Sequence, residues 1–118
     1  MFQERLRSVS DRIDGALALS LVAADGITVE SVKNDPEVDL EMLSAELLSQ
    51  VRTISDDHRE LHVGHVKQLT VTTDERTFVV SAVSDEYYLL LVLSDPGSYG
   101  KARFELRRAR LLFEDDLT

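Results

Sequence analysis

Three histidines stand close together in this chain: His58, His62 and, three residues on, His65. A pair at i and i+4 on one helix can face a metal together. A third imidazole would complete the three protein ligands that zinc sites use. Gly64, however, is placed to end that helix and to carry His65 off its face. His58 also falls on the apolar stripe of the helix, where a hydrogen-bonded core or interface histidine is the commoner outcome. No metal is expected. At a subunit contact His58 would have another consequence. Protonation near pH 6 would place a charge where burial favours the neutral ring, loosening the contact. A dimerisation constant unchanged between pH 8 and pH 5.5 would rule that out.

Other reactive groupings are weaker. A phosphate cradle needs clustered glycines ahead of a helix, and Gly15, Gly26, Gly64, Gly97 and Gly100 are scattered. Gly97-Ser98-Tyr99-Gly100-Lys101 comes nearest, but it lacks the spacing of a phosphate loop and reads as a strand-to-helix turn. Carboxylates come in runs, Asp56-Asp57 and Asp115-Asp116, whereas a catalytic pair needs a pocket that gives its two members different environments. Ser44 and Ser49 fall within a helix with no elbow-like turn around them, and there is no cysteine. The expectation is a non-enzymatic protein without catalytic residues, cofactor or metal.

Composition narrows the classes further. The 118 residues suit one domain spanning 1–118, and 43% hydrophobic with 30% charged residues suits a globular fold. Twenty-two acidic against thirteen basic residues leave a formal charge of −9, which repels nucleic-acid phosphates and anionic lipid. The absence of cysteine fits a reducing compartment. The strongest apolar run, residues 89–93, is far short of the ~20 residues that span a bilayer. Met1-Phe2-Gln3-Glu4-Arg5 carries no apolar signal core. A cytoplasmic protein is expected, with no nucleic-acid partner and no membrane insertion.

Periodicity supplies the elements that would position any site. Phe2, Leu6, Val9 and Ile13 make one stripe of a short helix, ended by Asp14-Gly15. Residues 16–23 read as an interior strand, with Leu17, Leu19 and Leu21 on one face and Ala16, Ala18 and Val22 on the other. Ala24-Asp25-Gly26 is a hairpin turn, and residues 27–32 form a more exposed edge strand. From about Asp39 the stripe Leu40, Leu43, Leu47, Val51, Ile54, His58 and Leu61 predicts a helix of nearly six turns. Three strands follow, at 65–73, 77–84 and 87–93. The last is apolar throughout and needs cover on both faces, which places it centrally; the first is half polar and suits an edge. A final helix over 99–113 turns Ala102, Leu106, Ala109 and Phe113 inward. The order αββαβββα with antiparallel hairpins gives an α+β fold in three α/β/α layers, its five strands ordered 2-1-5-4-3.

This pattern resembles the Roadblock, or dynein-light-chain-type, domain family, related to longins and profilin. Residues Ala18-Leu19-Ser20-Leu21-Val22-Ala23-Ala24-Asp25-Gly26-Ile27-Thr28-Val29 look like the family's opening hairpin. Asp39-Leu40-Glu41-Met42-Leu43-Ser44-Ala45-Glu46-Leu47-Leu48 looks like the start of its long second helix. Leu89-Leu90-Leu91-Val92-Leu93, a short loop and a basic helix look like its close. The resemblance covers nearly the whole chain and rests on a pattern of elements, with no single diagnostic motif. It implies a homodimer, or a pair with a Roadblock paralogue, joined through the long helix and third strand into a ten-stranded sheet. It also implies a non-catalytic partner of a small Ras-like GTPase. Mgl-type prokaryotic members stimulate GTP hydrolysis without donating an arginine finger.

Partner contacts are expected on the outward side of the long helix, at Met42, Ala45, Ser49 and Arg52, with Asp56 on the same line. Small residues at 45 and 49 leave the surface flat, and Met42 adds an adaptable apolar contact; alanine and serine are equally ordinary on a solvated helix. The third strand, with Lys67, Leu69 and Val71, offers an edge whose main defence is Lys67, although that lysine and the neighbouring threonines could simply keep it solvated. Lys101, Arg103, Arg107, Arg108 and Arg110 oppose an acidic span over 35–60. They would steer a partner or, more ordinarily, complement a helix C-terminus and pair with nearby acids. Against the GTPase regulator stand two alternatives: a structural adaptor that dimerises within a larger complex, and a small-ligand sensor. The sensor is weakened by the lack of convergent polar groups.

Overall fold

The computed structural model describes residues 2–94 and 99–117, with the side chains of 56–60 and 116 outside the description. The elements are α1 (Phe2–Asp11), β1 (Ala16–Ala23), β2 (Thr28–Lys33), α2 (Leu40–Leu61), β3 (Gln68–Thr72), β4 (Thr77–Ala82), β5 (Tyr87–Leu93) and α3 (Tyr99–Leu117). The strands pair antiparallel in the order β2-β1-β5-β4-β3, as expected. Apolar continuity dictates the centre. Leu89, Leu90, Leu91, Val92 and Leu93 are all fully buried, and only an interior strand with both faces covered can bury consecutive residues.

Two cores flank the sheet. On one face α1 and α3 bring Leu6, Val9, Leu106 and Phe113 against Leu19, Val79 and Leu91. The Phe2 and Phe113 rings stack there with centroids 5.9 Å apart. The predicted inward set of α3 (Ala102, Leu106, Ala109 and Phe113) is buried as expected. On the other face α2 lies alone, with Leu40, Leu47, Leu48 and Val51 against Ala18, Val22, Val80 and Leu90. Its start is capped by Asp39. Asp39 Oδ1 accepts the Met42 N–H at 3.1 Å, satisfying one orphan donor of the first turn.

Several boundaries and faces differ from the sequence reading, each for a local reason. The β1–β5 register slips between Ala16 and Ala18, so β1 carries an extra residue there. Strict alternation is lost. Ala16 joins Leu19 and Leu21 on the α1/α3 face, while Leu17 lies with Ala18 and Val22 on the α2 face. A second slip, between Leu21 and Val22 in the β1–β2 pairing, sets the start of β2 at Thr28 instead of residue 27. In α2 the apolar stripe ends early, because Leu61 is 67% exposed, and Leu48 with Ser44 takes a share of the buried line. The helix stops at Leu61 through His62, whose φ of 56° is left-handed, with Gly64 (φ 94°) two residues beyond. Strands β3 and β4 are shorter than read, and α3 runs four residues past Phe113 to Leu117.

Candidate protein–protein interface

The candidate surface begins with the four residues singled out on α2. Met42 stands free at 66% exposed, and Ala45 is exposed beside it. Ser49 is half-buried, and its carbonyl accepts the Thr53 hydroxyl at 3.1 Å. Arg52 is committed within the molecule, its Nη1 donating to the Ala24 carbonyl at 2.9 Å. This ties α2 to the β1–β2 turn. Gly26 of that turn has φ 91°, and a Cβ built there would come 3.3 Å from the Ala45 Cα. The hairpin's close approach to the α2 backbone therefore accounts for the glycine at 26, while the side chain at 45 stays exposed. The side chains of Asp56, Asp57 and His58 lie outside the described residues, as does the Gly97-Ser98 part of the glycine-containing turn. His62 and His65 are exposed.

The second component is the sheet beside α2. One helix cannot cover five strands. Leu69 and Val71 of β3, Phe78 of β4 and Tyr88 of β5 are only half-buried and pack around the rim of the α2 core. β3 is an edge, as read from its polarity. Lys67 is exposed and precedes the strand proper, although its carbonyl still accepts the Ala82 N–H at 2.9 Å. The polar residues of β3 have a different task from solvation. Gln68 Nε2 and Thr70 Oγ1 each lie 3.1 Å from the Tyr99 hydroxyl, fastening the edge to the first turn of α3. Leu69 and Val71 thus keep the α2 side while Gln68 and Thr70 turn away from it.

Where α2 leaves the sheet, a cleft of about 720 Å³ opens, lined among others by Leu48, Val51, Arg52, Val66, Lys67 and Tyr88. Burial pushes the Tyr88 hydroxyl above the ordinary tyrosine range, with a smaller push from the Asp85 carboxylate. The cleft mixes apolar side chains with polar ones, among them Ser55, His65, Asp85 and Arg110. Among the described residues no three His, Asp or Glu side chains converge on a metal position. No described helix is long and apolar enough to cross a membrane.

No family model and no curated protein matches the sequence. Solved structures do match. MglC from Myxococcus xanthus is 32% identical with 98% of each chain covered and a TM-score of 0.72. A Roadblock/LC7 domain from Streptomyces avermitilis superposes over 98% of this chain and 96% of its own, at 15% identity and a TM-score of 0.87. The chain belongs to the Roadblock family. An MglB described in a tetrameric arrangement matches 95% of this chain and 84% of its own, at 16% identity and a TM-score of 0.85. These likenesses, to a Roadblock/LC7 domain and to MglB and MglC, support a Roadblock-like prokaryotic domain and match the fold with its 2-1-5-4-3 sheet.

Sequence reasoning missed a residue that ties the Roadblock fold together away from this surface. Asn34 was unmarked, yet its side chain donates to Ser10 Oγ at 3.0 Å and to the Ala16 carbonyl at 2.8 Å, and accepts from Arg7 at 2.8 Å. It joins α1, β1 and the end of β2. A lone asparagine after a strand carries no periodic signal by which to find it. The basic residues of α3 were noticed, but their expected role at a helix C-terminus is corrected. The helix continues to Leu117, so Arg107, Arg108 and Arg110 sit in its middle and the last turn carries no basic residue.

Proposed function

We propose that this Roadblock protein is a dimeric, non-enzymatic regulator that binds a small Ras-like GTPase and modulates its GTP hydrolysis or localisation. One observation carries the reading. The α2 side of the sheet is half-covered, and its uncovered part runs to an edge strand, where Leu69, Val71 and Phe78 form an apolar rim. A second copy pairing along β3 would bury that rim and satisfy the edge at once. The tetrameric arrangement described for the similar MglB supports self-association as a habit of the fold. Met42, Ala45 and Ser49, on the outward side of α2, then face the twin or the GTPase; Arg52 contributes by holding the β1–β2 turn in place.

The chain needs no catalytic group for this. A GTPase carries its own nucleotide and metal, and a partner accelerates or slows hydrolysis by selecting one arrangement of the GTPase's mobile loops. The test uses a purified Ras-like GTPase from the same genome, loaded with GTP, with and without this protein. Binding and a changed hydrolysis rate are expected. The double variant Ala45→Arg, Ser49→Arg should abolish binding with circular dichroism unchanged, and undiminished binding by it would remove the site assignment. A dimer in light scattering that binds no Ras-like GTPase in either nucleotide state would favour the adaptor role instead.

A further inference from the structure

On the opposite face of the sheet, α3 and the start of β3 enclose a cleft of about 440 Å³. Four cations line it, Lys67, Arg103, Arg107 and Arg110, with Gln68 and Phe104 beside them and no aspartate or glutamate in the lining. In a chain with 22 acidic and 13 basic residues, four cations gathered without one carboxylate are a marked segregation of charge. None of the four has an ion-pair partner among the described residues. The neighbouring Arg108 differs, since it faces the buried Glu105 at 3.5 Å. The cleft is also held in shape. Tyr99 is fixed by Gln68 and Thr70, and the Arg103 guanidinium lies over the Tyr99 ring, 5.5 Å from its centroid. Phe104 is 59% exposed at the same place, an apolar surface among cations.

We infer that this cleft binds an acidic, extended segment of a protein partner, with carboxylates on the arginine row and an apolar side chain against Phe104. Spacing decides between this and a small anion. Arg103, Arg107 and Arg110 are at i, i+4 and i+7, a row of about 10 Å along the helix. Carboxylates on alternate residues of an extended chain repeat every ~7 Å, so two or three of them reach the row and its Lys67 end. A row about 10 Å long exceeds the reach of one phosphate along the helix, whereas an extended chain with several carboxylates matches its length. Guanidinium groups meet carboxylates through paired N–H donors, which gives the row direction as well as charge. The site is on the α3 face, away from Met42, Ala45 and Ser49 on α2, so it stands or falls apart from the GTPase contact, while its Lys67 and Gln68 adjoin the β3 edge proposed for the twin.

The experiment is fluorescence anisotropy with a labelled seven-residue peptide, glutamate throughout except for a central phenylalanine. Saturable binding that weakens as salt is raised is expected. The variant Arg103→Glu, Arg107→Glu should lose at least tenfold in affinity, and a charge-matched control, Arg12→Glu with Lys33→Glu, should bind as the parent does. If the glutamate variant fails to fold, Arg103→Gln with Arg107→Gln takes its place, with the same expectation of loss. Equal weakening in the control would mean non-specific attraction and would overturn the assignment, as would the absence of saturable binding. Displacement by inorganic pyrophosphate at lower concentration than by unlabelled peptide would make it a small-anion site instead. Stronger co-sedimentation with phosphatidylserine vesicles than binding to peptide would make it a lipid surface. Either result rejects the peptide assignment.

Discussion

At the scale of single residues, the surface on α2 is shaped from inside as much as from outside. Gly26 is glycine for two reasons: its φ of 91° strains any L side chain, and a Cβ would press to 3.3 Å on the Ala45 backbone, which the helix cannot move. Gly26→Ala should therefore destabilise the fold by about 1–3 kcal/mol, combining backbone strain with local crowding. Chemical denaturation checks this, and an unchanged midpoint would mean that the turn relaxes freely away from α2. The Asp-Gly turn was legible in the sequence because only the turn type was needed. Its contact with Ala45 was not, since nothing local to either segment marks a meeting 19 positions apart.

At the scale of elements, periodicity located every helix and strand but misplaced faces where the period breaks. The β1 bulge moved Leu17 to the α2 side, and the left-handed His62 ended α2 where Gly64 had been expected to act. Alternation rules carry phase from one residue to the next, so one inserted residue is enough to exchange the faces of what lies beyond it. The edge strand shows the reverse case. Its half-polar composition did identify an edge, yet Gln68 and Thr70 spend their polarity on Tyr99. Leu69 and Val71 are left as the undefended side. A lysine is an effective guard of such an edge, and its long stem can lie along the remaining apolar rim while the ammonium reaches water. Val71→Lys should thus convert a dimer to a 13.3 kDa monomer in light scattering, with circular dichroism retained. A variant that remains dimeric would place the self-contact elsewhere than β3.

At the scale of the whole molecule, net charge gives the two proposed contacts opposite responses to salt. Pairing two copies brings together two bodies of formal charge −9, to which the exposed Glu41 and Glu46 on α2 contribute. Burial of Leu69, Val71 and Phe78 is indifferent to ionic strength, whereas the repulsion is screened within about 10 Å at 0.1 M salt. The dimer should accordingly tighten as salt rises from about 0.02 to 0.3 M, by severalfold in its dissociation constant. The α3 cleft works by attraction between opposite charges, so its hold on an acidic segment should weaken over the same range. Sedimentation equilibrium follows the first and anisotropy the second on one set of samples. A dimer that loosened with salt would mean that the subunits meet through complementary charge. The basic row of α3 against the acidic side of a second copy would then be the surface to test, in place of the β3 edge.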